Sequence, residues 1–206
     1  MVSVSTSAPV AAPRQNLVPA PKPAQTPRIS WEQFEKKYLP REDRWKYEWV
    51  RGVVQKTPRA MNQNQQFIFL NLLAFFDKLK FQAQGIGQLL SEVDTKFGEF
   101  HRRPDISYFS KEQIPLMVLQ DQIPQFVIEI ISKSDQLILI NEKMEDYRSV
   151  NIPVIWHIFP KLRMVHEYRG KTMTILTGDD VCSAEPVIPG FRIKASAIFE
   201  IGGSVS

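Results

Sequence analysis

The segment Phe126-Val127-Ile128-Glu129-Ile130-Ile131 constrains this chain more than any other. A short, nearly unbroken apolar run suits a strand buried on both faces, and such a strand needs a layer of structure above and below it. Helical patterns lie before and after the run, and several short strand patterns follow. The expected fold is therefore α+β (α/β-like), with one mixed central β-sheet flanked by helices. The chain has 206 residues, which fits one domain of ordinary size plus a tail. Hydrophobic residues at 43% and charged residues at 23% exclude collagen-like, coiled-coil and wholly disordered classes.

Residues 1–27 differ from the rest. Pro, Ala, Ser, Val and Thr dominate, no acidic residue occurs, and Arg14 and Lys22 are the only basic ones. Such a segment has too little periodic apolar surface to offset its ordering entropy, so a disordered Pro/Ala-rich tail is expected, with a single domain over 28–206. A signal peptide would show a basic start and an unbroken apolar stretch, and neither is present. The single Cys182 excludes an internal disulfide and a multi-cysteine zinc site, which makes a reducing, cytoplasmic setting the expectation. No run approaches about 18 apolar residues, so no membrane helix is expected. The formal charge of +4 permits a nucleic-acid partner without demanding one.

Within the domain, Ser30 and Gln33 frame a capping box for a helix from Trp31 to about Tyr38. Tyr47 to Val54 reads as a strand with a possible turn at Gly52. Asn62 to about Gln82 reads as a long helix whose apolar face runs through Phe67, Leu70, Ala74 and Phe75, flanked by Ile68, Leu72, Phe76 and Leu79. Gln88 to Phe97 alternates as a strand, and Gly98 to Pro104 reads as a charged loop. Strands are expected at Ile106–Phe109, Phe126–Ile131, Val154–Phe159, Met164–Tyr168 and Thr172–Leu176, with an amphipathic helix from Leu137 to about Val150.

Glu129 is the residue that most demands a chemical reason. A carboxylate among apolar neighbours costs several kcal/mol unless it is paired, protonated or bound to a cation. The bland alternatives are an edge-strand position or a structural pairing with arginine. Asp105 follows Pro104 at the start of a strand expected to lie beside that of Glu129. Two carboxylates at matching heights on neighbouring strands form an oxygen-rich site suited to Mg²⁺. Asp105 also fits an ordinary turn. Lys143 lies on the following helix with Tyr147 at i+4, although Glu142, Glu145 and Asp146 around it equally fit an exposed, ion-paired face. Glu48 is a strand carboxylate between Tyr47 and Trp49. His101, Arg102 and Arg103 fit either a phosphate contact or a charged surface loop. The three histidines lack zinc spacing, and neither a phosphate-binding glycine loop nor a nucleophile elbow occurs.

The order Pro104-Asp105, Glu129 and then Lys143 on the next helix is that of a PD-(D/E)XK nuclease core. Together with Tyr47-Glu48 and Gly52, Arg103 to Ile106, Glu129 to Asp135, Lys143 to Tyr147 and Val154 to Ile158, it resembles the Uma-type restriction endonuclease family, a domain of unknown function in that superfamily. The resemblance spans about Ile29 to Ile201. It implies a restriction-endonuclease-like core with Asp105 and Glu129 binding Mg²⁺ (or Mn²⁺ as substitute). Glu48 would be an outer-sphere or direct third metal carboxylate, and Lys143 the catalytic lysine. The chain departs from the family pattern at several places. Ile131 stands at the usual lysine position, Arg51-Gly52-Val53 replaces Asp-Gly-Glu, and Ser132-Lys133-Ser134 replaces Ser-Pro-Ser. Asn64 or Gln65 replaces a histidine, and Phe159-Pro160 replaces Asp-Pro. The function expected is a metal-dependent endonuclease acting on DNA, with a possible homodimer because a two-strand cut needs two sites. The alternative is a catalytically impaired descendant that binds nucleic acid or a protein partner.

Overall fold

A computed structural model describes residues 27–58, 63–83, 85–132 and 136–201, without the side chain of Asn64. The tail expected over 1–27 (Pro27 apart), Asn62 at the expected helix start, and the Lys133-Ser134-Asp135 stretch lie outside the described residues. Helix α1 (Trp31–Lys37) precedes strands β1 (Trp45–Val50) and β2 (Val53–Pro58) and the long helix α2 (Gln63–Gln82). Strands β3 (Gln88–Ser91), β4 (Thr95–Phe97), β5 (Phe100–Arg102), β6 (Ile106–Phe109) and β7 (Phe126–Ile130) follow. After helix α3 (Leu137–Ser149) come β8 (Val154–Phe159), β9 (Met164–Arg169), β10 (Thr172–Thr177), β11 (Val181–Ser183) and β12 (Arg192–Lys194), then the short α4 (Ala195–Ile198).

The central sheet has the order β10-β9-β8-β7-β6-β3. It is mixed: β7 and β8 are parallel, joined through α3 as a parallel pair requires, and the other pairings are antiparallel. A second sheet, β2-β1-β5-β4, lies alongside, and β11 and β12 form a small ribbon. The mixed sheet flanked by helices agrees with the architecture read from the sequence.

Alternation along the strands separates two faces. Phe126, Ile128 and Ile130 of β7, with Ile106, Tyr108, Trp156 and Ile158, pack against Ile68, Leu72 and Phe76 of α2. Val127 and Ile155 face the other way, toward Met144 and Tyr147 of α3. Glu129, two residues after Val127, therefore points to the α3 side. Asp105 and Ser107, out of phase with Ile106 and Tyr108, follow the same alternation.

Several local expectations change. Tyr47–Val54 divides into β1 and β2 at the turn allowed for at Gly52, with Arg51 (φ 47°) and Gly52 (φ 87°) in the left-handed region that a two-residue connection needs. Gln88–Phe97 splits into two strands in different sheets, with Glu92 at φ 49° between them. The stretch expected as a charged loop contains β5, buried throughout, because its charged side chains are paired internally. Helix α2 turns Ile68, Leu72 and Phe76 inward and leaves Phe67 and Leu70 exposed, so its apolar face is rotated from the one expected. The capping box of α1 is present: Ser30 Oγ accepts from the Gln33 amide at 3.3 Å, and Gln33 Oε1 accepts from the Ser30 amide at 3.0 Å.

Candidate active site

Three strands and one helix bring the site together. The register Ile106↔Ile128 sets the start of β6 against β7, and Asp105 Oδ2 accepts from the Ile130 amide at 2.7 Å. That bond fixes Asp105 beside the Glu129 strand. Glu129 is only 5% exposed. Helix α3 lies over the face to which Glu129 points and delivers Lys143, whose Nζ is 3.2 and 3.3 Å from the two Glu129 oxygens. One turn further, the Tyr147 hydroxyl donates to Glu129 Oε1 at 2.6 Å. Strand β1 sends Tyr47 and Trp49 toward α1, and Lys46 and Glu48 the opposite way. Lys46 Nζ lies 3.1 Å from Asp105 Oδ1, and Lys143 Nζ lies 3.3 Å from Glu48 Oε1.

Of the four residues expected from the sequence, Glu48, Glu129 and Lys143 are thus linked by direct contacts, and Asp105 joins them through Lys46 and the Ile130 amide of the Glu129 strand. Glu129 is partnered by lysine and tyrosine rather than arginine, and it lies on a central strand, not an edge. Lys143 faces the site rather than an exposed helix surface; on the open side of α3 the pair is Glu145 with Arg148. Ile131 does occupy the position two residues after Glu129. Lys143 reaches the same side of the sheet from above, so the ammonium arrives from the helix instead of the strand.

Sequence reasoning missed how much of the site is held by Arg102. This arginine is fully buried; it donates to Glu48 Oε2 at 3.2 Å, to Gln55 Oε1 at 2.5 Å, and to Asp146 through both Nε and a terminal nitrogen. The surface-loop reading of this stretch is therefore corrected, since His101 and Arg102 are buried on β5. His101 Nε2 lies 2.9 Å from Asp94, Arg103 pairs with the same aspartate, and the Arg103 amide donates to Glu48 Oε1 at 2.9 Å. Lys46 was also overlooked, although its place two residues before Glu48 puts it on the same strand face. Gln65, one of the two residues standing where the family carries a histidine, donates from Nε2 to the Ile130 carbonyl at 3.1 Å.

The two glutamates are pushed in opposite directions. Burial alone would raise Glu48, but Lys143, Arg102, Lys46 and the Arg103 amide together bring it down to about 2. Glu129 is pushed up: burial acts first, and the neighbouring charges of Asp105 and Glu48 add to it against Lys143 and Lys46. Burial also pushes the Tyr147 hydroxyl well up, as do the carboxylates of Glu129 and Glu48, so it stays a donor. Burial disfavours the Lys46 ammonium, yet Asp105, Glu129 and Glu48 overcome that and hold it charged. Two carboxylates whose proton affinities diverge in one pocket are a common basis for distinct chemical roles.

Among the described residues no group of three or more His, Cys, Asp or Glu is arranged to hold a metal ion. A pair is enough for Mg²⁺, which takes one or two carboxylates and keeps several waters. Asp105 and Glu129 are the two carboxylates that could supply hard oxygen ligands of that kind. Glu48 is tied in addition to β5, its oxygens accepting from the Arg103 amide and the Arg102 guanidinium as well as from Lys143.

This combination of a mixed sheet, a Pro-Asp strand start, a strand glutamate and a converging lysine characterises the restriction-endonuclease-like class. The model of the Uma2 family, described as "Putative restriction endonuclease", matches residues 31–196, and the chain belongs to that family. Among solved structures, the fold is similar to that of a protein from Anabaena variabilis ATCC 29413, titled a putative nuclease belonging to DUF820. Their TM-score is 0.72 at 19% identity, over 83% of this chain and 97% of that one. No functionally curated protein matches the chain. None of the helices among the described residues is long and apolar enough to cross a membrane.

Proposed function

We propose that the chain is a metal-dependent endonuclease that hydrolyses DNA phosphodiester bonds. The observation that carries this reading is Glu129: buried in an apolar strand, it meets Lys143 and Tyr147 and stands beside Asp105. Asp105 and Glu129 would hold Mg²⁺, or Mn²⁺ in its place. A divalent ion held there would supply charge stabilisation at the phosphoryl oxygens and lower the pKa of a water. Lys143 would orient the attacking water and stabilise negative charge on the phosphorus oxygens as one P–O bond forms and the opposite one breaks. Tyr147 fixes the rotamer of Glu129 through its hydroxyl. Glu48 is a positioning residue, holding Lys143 and Arg102 as a permanent anion and acting outside the metal's inner shell.

The test is cleavage of supercoiled plasmid in Mg²⁺ and separately in Mn²⁺, by wild type and by the Asp105→Ala/Glu129→Ala double variant. Cleavage by wild type alone is expected; equal cleavage by both overturns the assignment of the site. A second reading, a catalytically impaired fold that binds DNA or a protein, is favoured by one observation. Both carboxylates are already engaged by ammonium groups of the chain itself. It predicts no cleavage with either ion, and DNA retention, if DNA is the partner, that falls steeply with salt. A homodimer would place two sites on one duplex, which sedimentation of the free and DNA-bound chain would show.

A further inference from the structure

Lys46 is the one lysine buried among the described residues. Its ammonium donates to Asp105 Oδ1, while the Ile130 amide takes Oδ2. An amide donor can share a carboxylate with a metal ion, since it carries no net charge. An ammonium on the same carboxylate repels an incoming dication, and the low dielectric of a buried site strengthens that repulsion. The network is already balanced: Glu48, Asp105, Glu129 and Asp146 face Lys46, Arg102, Lys143 and Arg51. A divalent ion added to such a set leaves an excess of positive charge unless one of the cations withdraws. Arg102 is fully buried and held by Asp146 and Gln55 as well as Glu48, and Lys143 is shared between two glutamates. Among the described residues, Asp105 is the one carboxylate in an ion pair with Lys46.

We propose that Lys46 is a built-in counter-cation that holds Asp105 in the metal-free protein and must release Asp105 Oδ1 for a divalent ion to load. Metal occupancy is then an exchange of one cation for another inside the site, and Lys46 sets the ion concentration at which it happens. This rests on the reading of Asp105 and Glu129 as the ion's ligands. It also explains how one site can be a closed ion network at low divalent concentration and an open metal site at high concentration.

The experiment is Mn²⁺ binding to the full chain, followed by the electron-paramagnetic-resonance signal of the free ion. Wild type would be compared with Lys46→Met, Lys46→Gln, Lys46→Arg and Asp105→Asn. Glutamine keeps a donor for Asp105 without the charge, so it serves if methionine unfolds the chain. Removing the charge is expected to tighten Mn²⁺ binding by about tenfold or more, the scale of one charge-assisted hydrogen bond. Lys46→Arg stays at wild-type affinity or weaker, and Asp105→Asn loses binding. Unchanged affinity in Lys46→Gln, or equal tightening in Lys46→Arg, overturns the proposal while leaving the metal reading intact. Absence of Mn²⁺ binding in wild type and every Lys46 variant, or binding that survives Asp105→Asn, overturns both.

Discussion

The central sheet carries two buried glutamates, Glu129 and Glu167, and they are satisfied in opposite ways. Glu167 Oε1 accepts from Arg169 Nε at 2.7 Å, and Oε2 accepts from the Ser183 amide at 2.8 Å. Arg169 spends its other donors on the Ser183 and Glu185 carbonyls, which staples the β11 ribbon to β9. The partners there are an arginine and main chain. Glu129 instead sits with Asp105 and Glu48 nearby and takes its donors from a lysine and a phenol. A glutamate that only joins elements is neutralised by a fork engaged at each of its three nitrogens. One gathered with other carboxylates stays electrostatically unsettled, which is the condition that invites a cation.

The largest effects follow directly from that contrast. Glu129→Gln is expected to lower metal-dependent plasmid cleavage by roughly 10³-fold, since several kcal/mol of charge stabilisation rest on that carboxylate. Glu167→Gln should stay within about twofold of wild type. If the two variants lose cleavage alike, the distinction between a chemical and a structural glutamate fails.

Next in size is Glu48→Gln, read by urea unfolding. Removing this anion leaves Arg102 and Lys143 short of a partner in a buried setting, at a cost of about 3 kcal/mol at pH 7. Because Glu48 is held down to about 2, its contribution is fully present above its unfolded value near 4.5. It is lost as pH falls from there toward 2, so the gap between wild type and variant should close over that window. Glu129, pushed up, acts with the opposite sign: its contribution is present at low pH and fades as pH rises through its folded value. A gap that stays constant down to pH 2.5 would contradict the assignment of Glu48 as a permanent anion.

Arg169→Met probes the other member of the comparison. It should cost about 1–2 kcal/mol, because the guanidinium is part-exposed and water replaces some of its bonds, and it should leave cleavage unchanged. Lys143→Met is its counterpart, with cleavage lowered about a hundredfold or more. A loss of cleavage in Arg169→Met would mean that the ribbon reaches the site.

How far the sequence carried this comparison depends on the kind of signal. Apolar alternation in β7 and the cost of burying Glu129 are local, and both were legible. So were Asp105 and Lys143, through the order in which they follow Pro104 and Glu129. Arg102 was not, because a charged tripeptide at 101–103 looks solvated until Glu48, Asp146 and Asp94, far away in sequence, are seen to enclose it. The inward face of α2 was misjudged for a related reason. Phe67 and Leu70 are as apolar as Ile68 and Leu72, and only the position of the sheet decides which pair is covered. Glu167 carries no such signal, since a glutamate and an arginine two residues apart on a strand fit an exposed face as well as a buried one.

The smallest and most specific expectation concerns Tyr147→Phe. Its hydroxyl donates 2.6 Å to Glu129 Oε1, and that bond favours the ionised carboxylate against burial and two like charges. Phenylalanine fills the same space beside Met144 and Val127, so packing is kept and only the donor is lost. Stability should fall by about 1 kcal/mol at neutral pH, the usual net worth of one such bond. The proton affinity of Glu129 rises further once the donor is gone, so the acid limb of cleavage should move to higher pH. No comparable shift is expected in Arg169→Met, where Glu167 loses an equally short bond. A structural role for Tyr147 alone would lower stability without moving the limb, and the pH–rate profile separates the two.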